Sequence, residues 1–141
     1  MSLQDIHIKV ADAHSVGNLD AILNEIATRL GDYVAGGETS LIDLKSLPFS
    51  ADEYERLRAK LGRGEVTARL DSIGDSEIYE TRFPGVWWVT HYNVEGDIVA
   101  DLIEIASVPA IVHSQPEDVH IGLAHLRHIL AHPASSDEVT K

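Results

Sequence analysis

Phe83-Pro84-Gly85-Val86-Trp87-Trp88-Val89-Thr90-His91-Tyr92 decides how this chain is read. It carries both tryptophans of the protein. Aromatic and β-branched residues dominate it, which suits a pleated strand and not a helix. It lies within Gly64 to Pro109, a segment of four extended runs separated by short turn signals. In Glu65 to Asp71, Val66, Ala68 and Leu70 alternate with Thr67, Arg69 and Asp71. Glu77 to Phe83 alternates likewise, with Gly74-Asp75 before it. Asn93-Val94-Glu95-Gly96 has hairpin length, and Ile98 to Ala106 returns as a long apolar strand whose only charges are Asp101 and Glu104. Connections this short require antiparallel neighbours. The reading is an α+β fold: an antiparallel sheet of about four to five strands packed with three helices.

Outward from the sheet, helical spacing takes over. Leu19, Ile22, Leu23, Ile26, Leu30, Tyr33 and Val34 follow a 3.6-residue period. Asn18 or Ser15 is the candidate cap and Gly36-Gly37 the stop. Leu3 to Val10 alternates weakly and reads as a short edge strand or a flexible arm. Ser40 to Leu44 reads as a short buried strand, broken by Leu47-Pro48. Ser50-Ala51-Asp52-Glu53 is a capping box opening a second helix, with Phe49 and Tyr54 as a hydrophobic staple and Tyr54, Leu57 and Leu61 as the buried stripe. A third helix starts near Ser114-Gln115-Pro116-Glu117, with Val119, Leu123, Leu126 and Leu130 as its core stripe and His132-Pro133 as its stop. The 141 residues are read as a single domain with an ordered core of about 16–132 and a flexible tail at 134–141.

Composition removes several functions. With no cysteine, the chain has no disulfide, thiolate nucleophile or thiolate-held cluster. A net charge of −12 disfavours nucleic acid and anionic lipid, and favours a basic partner. No apolar run suits a membrane span and no secretory signal is expected. Phosphate loops, dinucleotide fingerprints, HExxH and nucleophile elbows are missing from the sequence. No cofactor is expected.

Three constellations remain. Trp87 and Trp88 are adjacent on a strand, so they face opposite sides of the sheet. If helices cover one side only, one indole lies on an open surface and anchors a protein partner; the alternative is that helices cover both sides or a loop shields the second ring. Trp87, Trp88, Tyr92, Glu80 and Glu104 are the candidate partner-binding residues. Such a face serves a homodimer as readily as a heterologous partner. His125, His128 and His132 share a sector of the last helix, where two imidazoles could hold nickel or zinc with Glu117 or Asp118; the alternative is a solvated face. Glu77, Glu80, Asp101, Glu104 and His91 could in principle do acid–base chemistry, but no nucleophile or substrate motif accompanies them.

Five segments, in order, carry a family resemblance. They are Ile42-Asp43-Leu44 with Leu47-Pro48; Leu61-Gly62-Arg63-Gly64-Glu65-Val66; Ile78-Tyr79-Glu80-Thr81; Gly85-Val86-Trp87-Trp88-Val89; and Ile103-Glu104-Ile105 followed by Val108-Pro109. Together they resemble the C-terminal conserved region of the HupH/HyaF-type hydrogenase expression proteins, from about Thr39 to Pro133. The resemblance implies a cytoplasmic, non-enzymatic accessory protein for maturation of nickel–iron hydrogenase. It would bind the small-subunit precursor, with its twin-arginine export signal, or another maturation protein. The family implies no catalytic residues, and the longer members have an N-terminal portion that this chain lacks.

Overall fold

The strand that carries the tryptophans lies at the centre of the sheet. In the computed structural model, which describes the backbone of residues 3–133 and the side chains of 18–133, five strands pair antiparallel throughout. They are β1 (Ser40–Asp43), β2 (Thr67–Leu70), β3 (Ser76–Glu80), β4 (Val86–Tyr92) and β5 (Ile98–Ile105), in the order β1-β5-β4-β3-β2. β2 to β5 form the expected meander of neighbours. β1 closes the far edge by pairing with β5, Ile42 opposite Ile103. The helices are α1 (Leu3–Gly36), α2 (Ala51–Leu61) and α3 (Pro116–Ala131). The chain divides into two compact units, residues 1–109 and 110–141, and each is described by itself.

In the first unit one sheet face packs under helices. Leu19, Ile22 and Ile26 of α1, Leu57 and Leu61 of α2, and Ile42, Tyr79, Val86, Trp88, Ile103 and Ile105 of the strands form one buried cluster. Full burial of each such aliphatic side chain contributes about 1.5–3 kcal/mol before entropy is counted. The opposite face carries a second, smaller cluster of Ile78, Trp87 and Val89, flanked by Ala68, Leu70 and Leu102. Both sheet faces are therefore apolar at the centre, and β4 is buried from Val86 through Thr90.

Local chemistry sets the boundaries. The Ser50 hydroxyl accepts from the Glu53 N–H at 3.1 Å and the Glu53 carboxylate accepts from the Ser50 N–H at 2.9 Å, completing the expected capping box of α2. Gly62 ends that helix at φ +61°. The β4–β5 hairpin closes through the Gly96 N–H donating to the Asn93 carbonyl at 3.0 Å. Gly74, at φ +80° before β3, sits where any Cβ would strike the Tyr92 carbonyl, so both its conformation and its lack of a side chain are required.

Several expectations need correction. Leu3 to Val10 is neither strand nor arm: α1 runs unbroken from Leu3, which puts Ser15 and Asn18 inside the helix instead of at its cap. Val34 is exposed, because the turn that would bury it is the last before Gly36 and Gly37. Of the presumed buried strand at Ser40 to Leu44, only Ile42 and Leu44 are buried, and Leu44 already belongs to a 3-10 turn over Leu44–Ser46. An edge strand has one sheet neighbour, so its outward residues, Leu41 among them, stay exposed. Val66 is exposed too, just before β2 begins.

The second unit holds a 3-10 turn at Ala110–Val112 and α3, which starts at Pro116 as expected. Its stripe is not a core. Val119, Leu123, Leu126 and Leu130 are 57%, 45%, 55% and 71% exposed. The tail read as flexible lies outside the described residues.

Candidate partner-binding site

The five candidate residues separate onto the two sides of β4. Residues directly opposite in an antiparallel pair share a face. Trp87 is opposite Glu80 on β3 and Glu104 on β5. These three therefore form one cross-strand row, an indole between two carboxylates. Trp88 is opposite Tyr79 and Ile103, and belongs to the face beneath α2. The register slips between His91 and Tyr92, so Tyr92 sits at an irregularity near the β4 end.

Neither indole is an open anchor. Trp87 is 5% exposed and Trp88 is fully buried. Of the two alternatives for the indoles the covered one holds, because apolar packing occupies both faces of the sheet. Each indole also has its N–H satisfied, as a buried donor must. Trp87 Nε1 donates to the Ala106 carbonyl at 2.9 Å, and Trp88 Nε1 donates to Asp101 Oδ1 at 2.7 Å. Glu104 is also buried, whereas Glu80 and Tyr92 are partly exposed. The Glu80 carboxylate accepts from the Gly85 N–H at 3.4 Å, and the Tyr92 hydroxyl donates to Glu77 at 3.3 Å.

A layered stack, not anticipated from the sequence, covers Trp88. Tyr54 of α2 lies 5.5 Å from the indole at 12° between planes, and Tyr79 lies 6.1 Å away at 10°. The Arg58 guanidinium sits 4.5 Å over Trp88 and 5.3 Å over Tyr54, while Arg63 sits 3.9 Å over Tyr79. Cation–π contacts of this kind contribute about 0.5–2 kcal/mol each. Burial raises the Tyr79 phenol above its ordinary pKa, against the pull of Arg58 and Arg63. The stack was hidden because its members come from α2, the segment after it, β3 and β4, which meet only in the fold.

Asp101 is the other unanticipated feature. It is buried, and its Oδ1 accepts from both Trp88 Nε1 and the Thr90 hydroxyl, the latter at 2.8 Å. Loss of solvation raises its pKa from 3.8 to about 6, with Lys45 pulling the other way. Strand alternation contained the signal, since Asp101 is in phase with the buried Ile103 and Ile105.

The acid–base candidates do not converge. Glu80 and Glu104 lie on the Trp87 side, while Asp101 lies under α2. His91 shares a 2.6 Å hydrogen bond with Ser76, opposite it on β3. On α3 the rings of His128 and His132 stack at 4.3 Å, and His132 Nδ1 donates to the His128 carbonyl at 3.0 Å. Among the described residues no group of three or more His, Asp or Glu side chains could hold a metal ion. Among the described residues, no helix is long and apolar enough to cross a membrane.

Comparison with known proteins identifies the lineage. A solved chain, hydrogenase expression protein HupH from Thiobacillus denitrificans, is 43% identical with a TM-score of 0.79, over 82% of this chain and 96% of that one. The hydrogenase expression/formation protein HupQ of Azotobacter chroococcum is 32% identical over 67% of this chain and 34% of its own length. HupH of Rhodobacter capsulatus is 30% identical over 82% and 42%. The chain thus spans well under half the length of these two curated relatives. Residues 16–132 match the family described as HupH hydrogenase expression protein, C-terminal conserved region, and the chain belongs to that family.

Proposed function

We propose that this protein is an accessory factor in hydrogenase maturation that binds the small-subunit precursor of a nickel–iron hydrogenase before export. The observation that carries the reading is the match to the solved HupH chain, because it spans 96% of that solved chain at 43% identity. The curated relatives carry the same kind of name, hydrogenase expression/formation protein. A cytoplasmic location and a non-enzymatic role belong to this reading.

Geometry supports a protein-binding surface, placed differently from the tryptophan pair. Trp87, Trp88 and Glu104 are buried, whereas Glu80 and Tyr92 are partly exposed. The apolar stripe of α3 is the larger exposed apolar feature: four aliphatic residues spaced 119, 123, 126 and 130 on one helix face. Helices with that spacing bind by laying the face into a partner's groove. The acidic net charge favours a basic segment in the partner.

The test is co-purification of the full chain with the precursor, with and without its leader, and separately with the large subunit. Leader-dependent capture supports the reading. Capture by the large subunit alone moves the partner, and no capture by any of them removes the reading. Leu123→Glu with Leu126→Glu should abolish capture while the sheet unit keeps its unfolding transition.

A further inference from the structure

Below the N-terminal turn of α2, next to Asp101, is a pocket of about 280 Å³ that none of the interactions above fills. Leu44, Leu47, Phe49 and Ala51 give it apolar walls, and Asp101, Tyr54, Lys45 and Ser50 complete its lining. We propose that this pocket receives a cationic group on an apolar stem, the chemistry of a lysine or arginine side chain presented by a partner protein.

The buried Asp101 carboxyl points to it, with the Tyr54 ring in the same wall. Asp101 is 3% exposed, and its described hydrogen bonds, from Trp88 and Thr90, both fall on Oδ1. Oδ2 has no hydrogen-bond donor among the described residues. The Tyr54 hydroxyl is buried and has no hydrogen-bond partner. A buried carboxylate held only by two hydrogen bonds and a through-space lysine, with no direct ion pair, is costly to keep ionised. A donor-rich cation satisfies the Asp101 carboxylate, while its methylene stem matches the leucine and phenylalanine walls.

The other charges leave this role open. Lys45 acts on Asp101 through space, but its Nζ donates to the Ile98 carbonyl at 3.2 Å and forms no ion pair with Asp101. Arg58, from α2, is committed to the faces of Trp88 and Tyr54. An anion has less to bind: the N–H groups of Ser50 and Glu53 are taken by the capping box, and Asp52 and Glu53 already sit in the positive first turn of α2. The inference does not depend on which protein presents the cation.

The indoles make the test internal. Trp88 donates to Asp101, and Trp87 donates to a backbone carbonyl, so their two indole N–H resonances report on the pocket and on a control position. In the full ¹⁵N-labelled chain at about pH 7.5, n-butylguanidinium should shift the Trp88 signal saturably and leave the Trp87 signal in place. The neutral n-butylurea, Asp101→Asn, and Ala51→Leu, which fills the pocket mouth without touching the carboxylate, should each weaken binding by about tenfold or more. Binding should also fall below about pH 6 as Asp101 takes up a proton. The proposal is overturned by an unmoved Trp88 signal, by equal binding of the urea, by saturable binding of pentanoate instead, or by undiminished binding to the Ala51→Leu chain. The last variant keeps the question decidable if Asp101→Asn does not fold.

Discussion

α2 and α3 both present apolar residues at helical spacing, yet they meet opposite environments. Leu57 and Leu61 of α2 are 0% and 1% exposed, whereas every residue of the α3 stripe is at least 45% exposed. α2 opens with a complete capping box; α3 opens with Gln115, which makes no side-chain cap bond. Amphipathic spacing therefore specifies that a face seeks apolar contact, but not whether the contact lies within the chain. α2 spends its stripe on the sheet that holds Trp88. The α3 stripe stays exposed.

The contrast can be broken by mutation, most severely at the centre of the sheet. Trp88→Ala removes the filling of the Tyr54–Tyr79 stack and leaves Asp101 with the Thr90 hydroxyl in place of two donors, so unfolding in urea should show a loss of about 3–5 kcal/mol. A loss below about 1 kcal/mol would mean that the indole is not core. Leu57→Ala should cost about 2–5 kcal/mol, and Leu123→Ala on α3 no more than about 0.5 kcal/mol. Equal losses at the two leucines would erase the comparison and place α3 in a core.

A smaller effect concerns pH. Asp101 has a folded pKa of about 6, above its ordinary 3.8. The unfolded chain therefore gives up this proton first, and stability falls as pH rises from about 4 through about 6. Asp101→Asn should remove that component, so the variant gains about 1–3 kcal/mol relative to the parent across the window. Parallel stability curves for the two chains would show that the carboxyl is solvated. Capping gives a finer comparison: Ser50→Ala should cost about 0.5–2 kcal/mol and Gln115→Ala almost nothing. At the bottom of the scale, replacing His125, His128 and His132 together with alanine should leave sheet stability unchanged. Calorimetric titration of the parent chain with nickel should show no saturable binding, as expected where no three-ligand group is assembled among the described residues.

Of the candidate site, sequence reading located the strand but not its environment. Alternation correctly put Trp87 and Trp88 on opposite faces, because side-chain direction along a strand is local geometry. Whether each face is covered depends on segments far away in sequence, and here both faces proved apolar. Glu80 and Glu104 were paired with Trp87 by register, which no single strand encodes. Asp101 passed as one of a strand's few charges until its neighbours removed it from water.

By itself, the sequence determined the meander of four strands, the capping box at Ser50, the hairpin at Gly96 and the start of α3 at Pro116. Each rests on backbone preferences or hydrogen bonds spanning a few residues. Tertiary structure alone decided that β1 pairs with β5, that both indoles are buried, that the α3 stripe is exposed, and that Asp101 holds its proton up to about pH 6. Those outcomes depend on which surfaces exclude water, and water is excluded by parts of the chain that are distant in sequence and meet only in the fold.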